Sequence, residues 1–119
     1  MKLLTKDQHV KLLKNGQINA QRLADGLEPI DHPPVVKLFT PDAACTWLLS
    51  ELDPEDTDIA FGLCDLGFGC PELGSVRLSE LADVRGRLGL PVERDLHFTG
   101  DRPLSAYADE ARIAQQIKA

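Results

Sequence analysis

The run Glu93-Arg94-Asp95-Leu96-His97 is where residue types and spacing come closest to chemistry. In an extended strand, Glu93, Asp95 and His97 project from one face, while Val92, Arg94, Leu96 and Phe98 project from the other. Two carboxylates beside an imidazole could ligate a metal, or a carboxylate could orient His97 as the general base of a small hydrolase. The plainer reading is a half-covered antiparallel strand with one polar and one apolar face. Arg94, the charge on the apolar side, is expected to pair with a carboxylate or to reach out to the sheet edge. His9 falls on a helix surface and His32 in a proline-rich loop, and neither has an evident partner in the sequence.

Asp53, Glu55, Asp56 and Asp58 invite comparison with a calcium loop. That loop needs Gly at its sixth position and Glu at its twelfth, where this chain has Asp58 and Cys64. A charged turn is the expectation, and neither metal nor cofactor is assigned. Cys64 and Cys70 are too far apart for the usual paired zinc ligands, so Cys45 and Cys64 read as small core residues. Cys70, in a Gly/Pro-rich loop, has no Lys, Arg or His beside it to activate a thiolate. Gly67-Phe68-Gly69 lacks the further spacing of a phosphate-binding loop.

Charge is distributed unevenly along the chain. Residues 1–24 hold five Lys and Arg against one Asp, a net of +4; residues 41–76 hold eight Asp and Glu with no Lys or Arg, a net of −8. Such a block either folds against the basic segment or presents a negative field to a partner. Glu51, Asp53, Glu55, Asp56 and Asp58 are the candidate protein-binding residues on that account. A net charge of −6 and a pI of 4.9 argue against a general DNA-coating protein. The basic segment has no aromatic residue to stack on bases before Phe39, so no direct nucleic-acid contact is expected. No apolar run reaches membrane-spanning length, and Met1-Lys2-Leu3-Leu4 is too short for a signal peptide. With three cysteines that cannot all pair internally, a reduced cytoplasmic setting is expected.

At 119 residues the chain allows one domain, residues 1–119. Its first part, 1–26, reads as basic and helical: Thr5-Lys6-Asp7-Gln8 has the form of a capping box, and Asn15-Gly16 reads as a stop before a short second helix. Pro29, Pro33 and Pro34 enforce an extended connection. Residues 35–98 read as a sheet, with strands at Val35–Phe39, Cys45–Leu52, Ile59–Leu66, Leu73–Leu78 and Val92–Phe98. A helix capped by Ser79 is inserted near 79–88, with Leu81, Val84 and Leu88 at helical spacing. Residues 103–117 form a C-terminal helix with Pro103 at its first position and Tyr107, Ala111, Ala114 and Ile117 on one face. The class is α+β: a mainly antiparallel sheet of about five strands with helices packed on one face.

Several words of the sequence, in order, resemble a bacterial family. They are Thr46-Trp47-Leu48-Leu49, Glu51-Leu52-Asp53-Pro54, Ala60 through Gly67, Cys70-Pro71-Glu72-Leu73-Gly74, Leu90 through Phe98, and Arg102-Pro103-Leu104-Ser105 with Tyr107. The chain is similar over essentially its whole length to domain-of-unknown-function family 2958. The resemblance implies a setting on plasmids, integrative elements and phage-like regions, near DNA-handling and antirestriction genes, and no catalytic residues. The function expected is therefore a small interaction module of a mobile element. Its acidic surface would bind a DNA-processing or defence protein, in the sharpest form by imitating DNA. A small hydrolase or metal-dependent enzyme built on Glu93, Asp95 and His97 is the alternative. An exposed edge strand would also let two copies pair as a homodimer.

Overall fold

The structure, a computed structural model, describes residues 2–119. Thr5 starts the first helix as expected: its hydroxyl accepts the Gln8 amide at 3.1 Å, and the Gln8 side chain accepts the Thr5 amide at 2.9 Å. This helix, α1, then runs unbroken from Lys6 to Ala24, so the stop expected at Asn15-Gly16 and the separate second helix are corrected. The reason is tertiary. The Asn15 amide donates to the Ser50 carbonyl at 2.9 Å in a buried setting. Gly16 lies so close to the strand carrying Leu52 that a Cβ would overlap the Leu52 carbonyl oxygen. Both residues are poor helix formers kept in mid-helix by contacts that local pattern does not encode.

The sheet contains β1 (Val36–Phe39), β2 (Thr46–Asp53), β3 (Asp56–Asp65), β4 (Glu72–Arg77) and β5 (Glu93–Arg94). Their order is β4-β3-β2-β1-β5, and every pairing is antiparallel. The α+β class therefore stands. The helices, however, do not share one face. Trp47 and Leu49 pack with Leu12 of α1 and with Leu81 of α2 (Leu78–Asp83), whereas Leu48 and Leu63 pack with Leu104, Tyr107 and Ala111 of α3 (Leu104–Ala114). The cause is visible in β2, where Trp47, Leu48, Leu49 and Ser50 are all buried and the strand has no solvent face. Such a central strand requires cover on both sides. Ser50 forms a bulge: Leu49 faces Gly62 and Glu51 faces Phe61, leaving the extra residue free to turn its carbonyl to α1.

Three further boundaries differ. α2 covers only Leu78–Asp83, with Arg77 rather than Ser79 at its cap and Val84 already extended. The segment that was to continue it is held elsewhere. The Asp42 carboxylate accepts the Leu88 and Leu90 amides at 2.6 and 3.3 Å, and Leu88 stays 80% exposed. β5 pairs over two residues rather than seven. α3 begins one residue after its cap Pro103 and ends at Ala114, where Gln115 turns left-handed.

An ordinary mid-helix glycine replaced by alanine gains stability, by about 1 kcal/mol. Gly16→Ala should instead destabilise by at least about 2 kcal/mol, because the added methyl meets backbone rather than a movable side chain. Urea unfolding of the two proteins checks the sign; a more stable variant would contradict the packing described.

Candidate functional site

The face proposed for Glu93, Asp95 and His97 does not form. Glu93 and Arg94 pair with Phe39 and Leu38, and the Asp95 amide still donates to the Lys37 carbonyl at 3.0 Å. The strand then ends, because the Asp95 carboxylate accepts the His97 amide at 2.8 Å and the chain turns at Leu96-His97. This local bond offers the backbone an alternative to the ladder, as Asp commonly does. His97 is left exposed in that turn, beyond the two residues of the strand itself. The second oxygen of Asp95 lies 3.5 Å from the Lys37 ammonium. The His97 amide first, and Lys37 after it, hold the Asp95 carboxyl below the usual carboxylate range. Arg94 lies on the edge strand β5, as one of the two expectations had it, and among the described residues it makes no ion pair with a carboxylate. It donates to the backbone carbonyls of Lys2 and Leu3, at 2.8 and 3.2 Å, and so ties the start of the chain to the sheet.

The acidic candidates lie on and beside the β2–β3 turn, and most of them are engaged within the chain. Glu51 accepts the Asn19 side-chain amide at 2.8 Å, and Asp53 accepts the Glu55 backbone amide at 2.9 Å. Asp56 lies 3.2 Å from the Arg77 guanidinium. Asp58 accepts both the Ser79 amide, at 2.9 Å, and the Ser79 hydroxyl, at 2.7 Å. Of the five, only Glu55 keeps its whole carboxylate unpartnered among the described residues. The Ser79 hydroxyl, then its amide and the Arg77 charge, hold the Asp58 carboxyl below its ordinary value. Asp56 and Asp58 thus fasten the β4–α2 junction.

Two concavities matter more. One, of about 630 Å³, lies at the C-terminal end of α3 and is lined by Lys37, Phe39, Thr46, Asp65, Asp95 and Ile117 among others. Its polar groups mainly satisfy one another: buried Asp65 accepts the Gly67 and Ile117 amides at 2.9 and 3.0 Å, and Lys37 meets Asp95 and the Ala119 carbonyl. It reads as a joint that closes the end of α3 onto the sheet. The other, of about 710 Å³, is an apolar groove between the start of α1 and α2. Leu3, Leu4, Val10, Leu78, Ala82 and Val92 line it, with Lys2, Lys6 and His9 also on its walls and no carboxylate among its lining residues. In the sequence the groove left two traces: the basic charge of residues 1–24 and the pair Leu3-Leu4. No local pattern announced that α2 would come to lie beside α1.

The sequence matches the family described as protein of unknown function (DUF2958) over residues 3–118. The chain belongs to that family. No curated protein and no solved structure matches it. In this DUF2958 chain the matched span includes both walls of the groove, except for Lys2. Cys45 and Cys64 are partly buried against the core and Cys70 is exposed, while burial raises the Cys64 thiol above its ordinary value. Among the described residues no helix is long and apolar enough to cross a membrane.

A carboxyl that binds its proton more weakly when folded stabilises the fold above its unfolded pKa, and that contribution is lost as pH falls through the lower folded value. For Asp58 the loss begins near its ordinary 3.8 and is complete below that. Urea midpoints measured from about pH 5 downward should therefore fall more steeply for the wild-type chain than for Asp58→Asn. Parallel curves would remove Asp58 from the acid transition.

Proposed function

We propose that this DUF2958 protein is a protein-interaction module that receives a segment of another protein in the groove between α1 and α2. The observation supporting this most directly is the groove itself, a concave apolar surface open to solvent and bordered by cations. Its volume is within the range of about 300–1,000 Å³ usual for small-molecule pockets, room enough for a few side chains of a partner segment. Apolar surface of this kind is favourably covered by a partner. The acidic hairpin takes a secondary part: Asp53 and Glu55 at its tip add a negative field that orients approach without forming the contact. The mobile-element setting that the family resemblance implies makes a bacterial DNA-handling or defence protein the partner to look for, with the cytoplasm as the place of meeting. The hydrolase alternative has less support, since the strand ends at Arg94 and the exposed His97 lies in the turn beyond it.

Photocrosslinking tests the reading. A benzophenone side chain at position 10, in the groove, should join one and the same host protein reproducibly. The same group at position 55, on the hairpin, or at exposed position 113 should not. Adducts from position 55 alone would move the contact to the acidic hairpin and overturn the groove as its site.

A further inference from the structure

The walls of the groove also specify what fits it. Resting on the interaction reading above, we infer that the occupant is an amphipathic acidic segment of a partner protein, its apolar side chains on the groove floor and its carboxylates toward Lys2, Lys6 and His9.

The charge of the groove favours an acidic partner. The ionisable groups lining the groove are Lys2, Lys6 and His9. The nearby acids Asp7, Glu80 and Asp83 do not line it. The N-terminal end of α1, the positive end of a 19-residue helix dipole, also opens onto the groove at Thr5 and Lys6. Its capping bonds are already made by Thr5 and Gln8, so it contributes field rather than a separate anion site.

The apolar lining favours a partner that also carries apolar side chains. Val10 is 58% exposed although it sits on the helix whose Leu12 is fully buried. Together with Leu3, Leu78 and Ala82 it offers apolar contact that neither a phosphate backbone nor a purely acidic tail could use. Concavity separates this surface from a membrane-binding one, because a hollow receives protruding side chains and does not itself insert into a bilayer. The acidic hairpin of a second copy is also a poor occupant. Its acidic tip carries only Pro54 between Asp53 and Glu55, with Leu52 fully buried.

The groove is also preorganised. Arg94 holds the carbonyls of Lys2 and Leu3, and the Thr5 capping box fixes the start of α1, so the wall carrying Leu3 and Leu4 is set before anything binds.

Fluorescence anisotropy with labelled peptides of about four helical turns tests the inference. One peptide carries Leu and Phe at i, i+3, i+4 and i+7 with Glu and Asp elsewhere. The second keeps the apolar positions and carries Lys and Arg; the third keeps the acids and carries Ser at the apolar positions. The acidic amphipathic peptide should bind at least tenfold more tightly than either control. Ala82→Arg, an exposed substitution, should abolish its binding. The double variant Lys2→Glu with Lys6→Glu, also exposed, should weaken it about tenfold and strengthen the basic peptide, with circular dichroism unchanged in both variants. Equal binding of the acidic and basic peptides, both lost in Ala82→Arg, would overturn the acidic occupant and leave the groove as the binding site. Binding unaffected by Ala82→Arg, no binding at all, or binding only to phosphatidylserine vesicles would overturn the groove reading together with the inference.

Discussion

The contact between the middle of α1 and the free side of β2 is the constraint on which the rest of the structure depends. β1 covers β2 only from Thr46 to Leu49, so the second half of β2 has no strand on that side. α1 takes that place. Asn15 supplies a donor to the Ser50 carbonyl, and four residues later Asn19 donates to Glu51 and to the Ile30 carbonyl. Gly16 lets the helix backbone come close enough for these side chains to reach. A buried carbonyl left without a donor would cost about 1–3 kcal/mol, so the seam fixes the position of α1 as well as stabilising it. With its middle held there, the first half of α1 lies over the sheet with Leu12 in the core, and its start comes to rest beside α2. The groove is a consequence of where the seam places the helix.

A second theme is how the chain uses its carboxylates. Asp42 accepts the amides of Leu88 and Leu90, Asp58 that of Ser79, Asp65 that of Ile117, and Asp31 that of Ser105. In each case a charged acceptor from one segment takes a backbone donor from a distant one, a bond stronger than its neutral counterpart. Much of the acidity that looks like a display in the sequence is thereby turned inward, to hold loops and helix starts where no sheet ladder reaches them.

Features with a local cause were legible in the sequence. The Thr5 capping box, the proline-enforced connection, the first four strands and the α+β class each follow from spacing within a few residues. What misled was local chemistry overruled by distant contacts. Asn15-Gly16 has the form of a helix stop until Ser50 and Leu52 supply partners. Leu81, Val84 and Leu88 have helical spacing until Asp42 draws the Leu88 amide away. Asp95 ends a strand that alternation alone would have continued through His97. The burial of β2 on both faces could have been suspected from Trp47-Leu48-Leu49, which leaves no polar face, and with it helices on both sides of the sheet. The groove was hidden for a different reason: its walls come from residues 2–10 and 78–92, and nothing within either stretch refers to the other.

Where a ligand touches the protein decides whether the α1–α2 groove is the binding surface. Backbone amide shifts of the isotopically labelled chain, followed while the acidic amphipathic peptide is added, would locate that contact residue by residue. Saturable shifts confined to Leu3, Leu4, Lys6, Val10, Ser79 and Ala82 are expected, with the Glu55 amide unmoved. Shifts centred on the β2–β3 turn, with the α1–α2 groove silent, would contradict the groove reading.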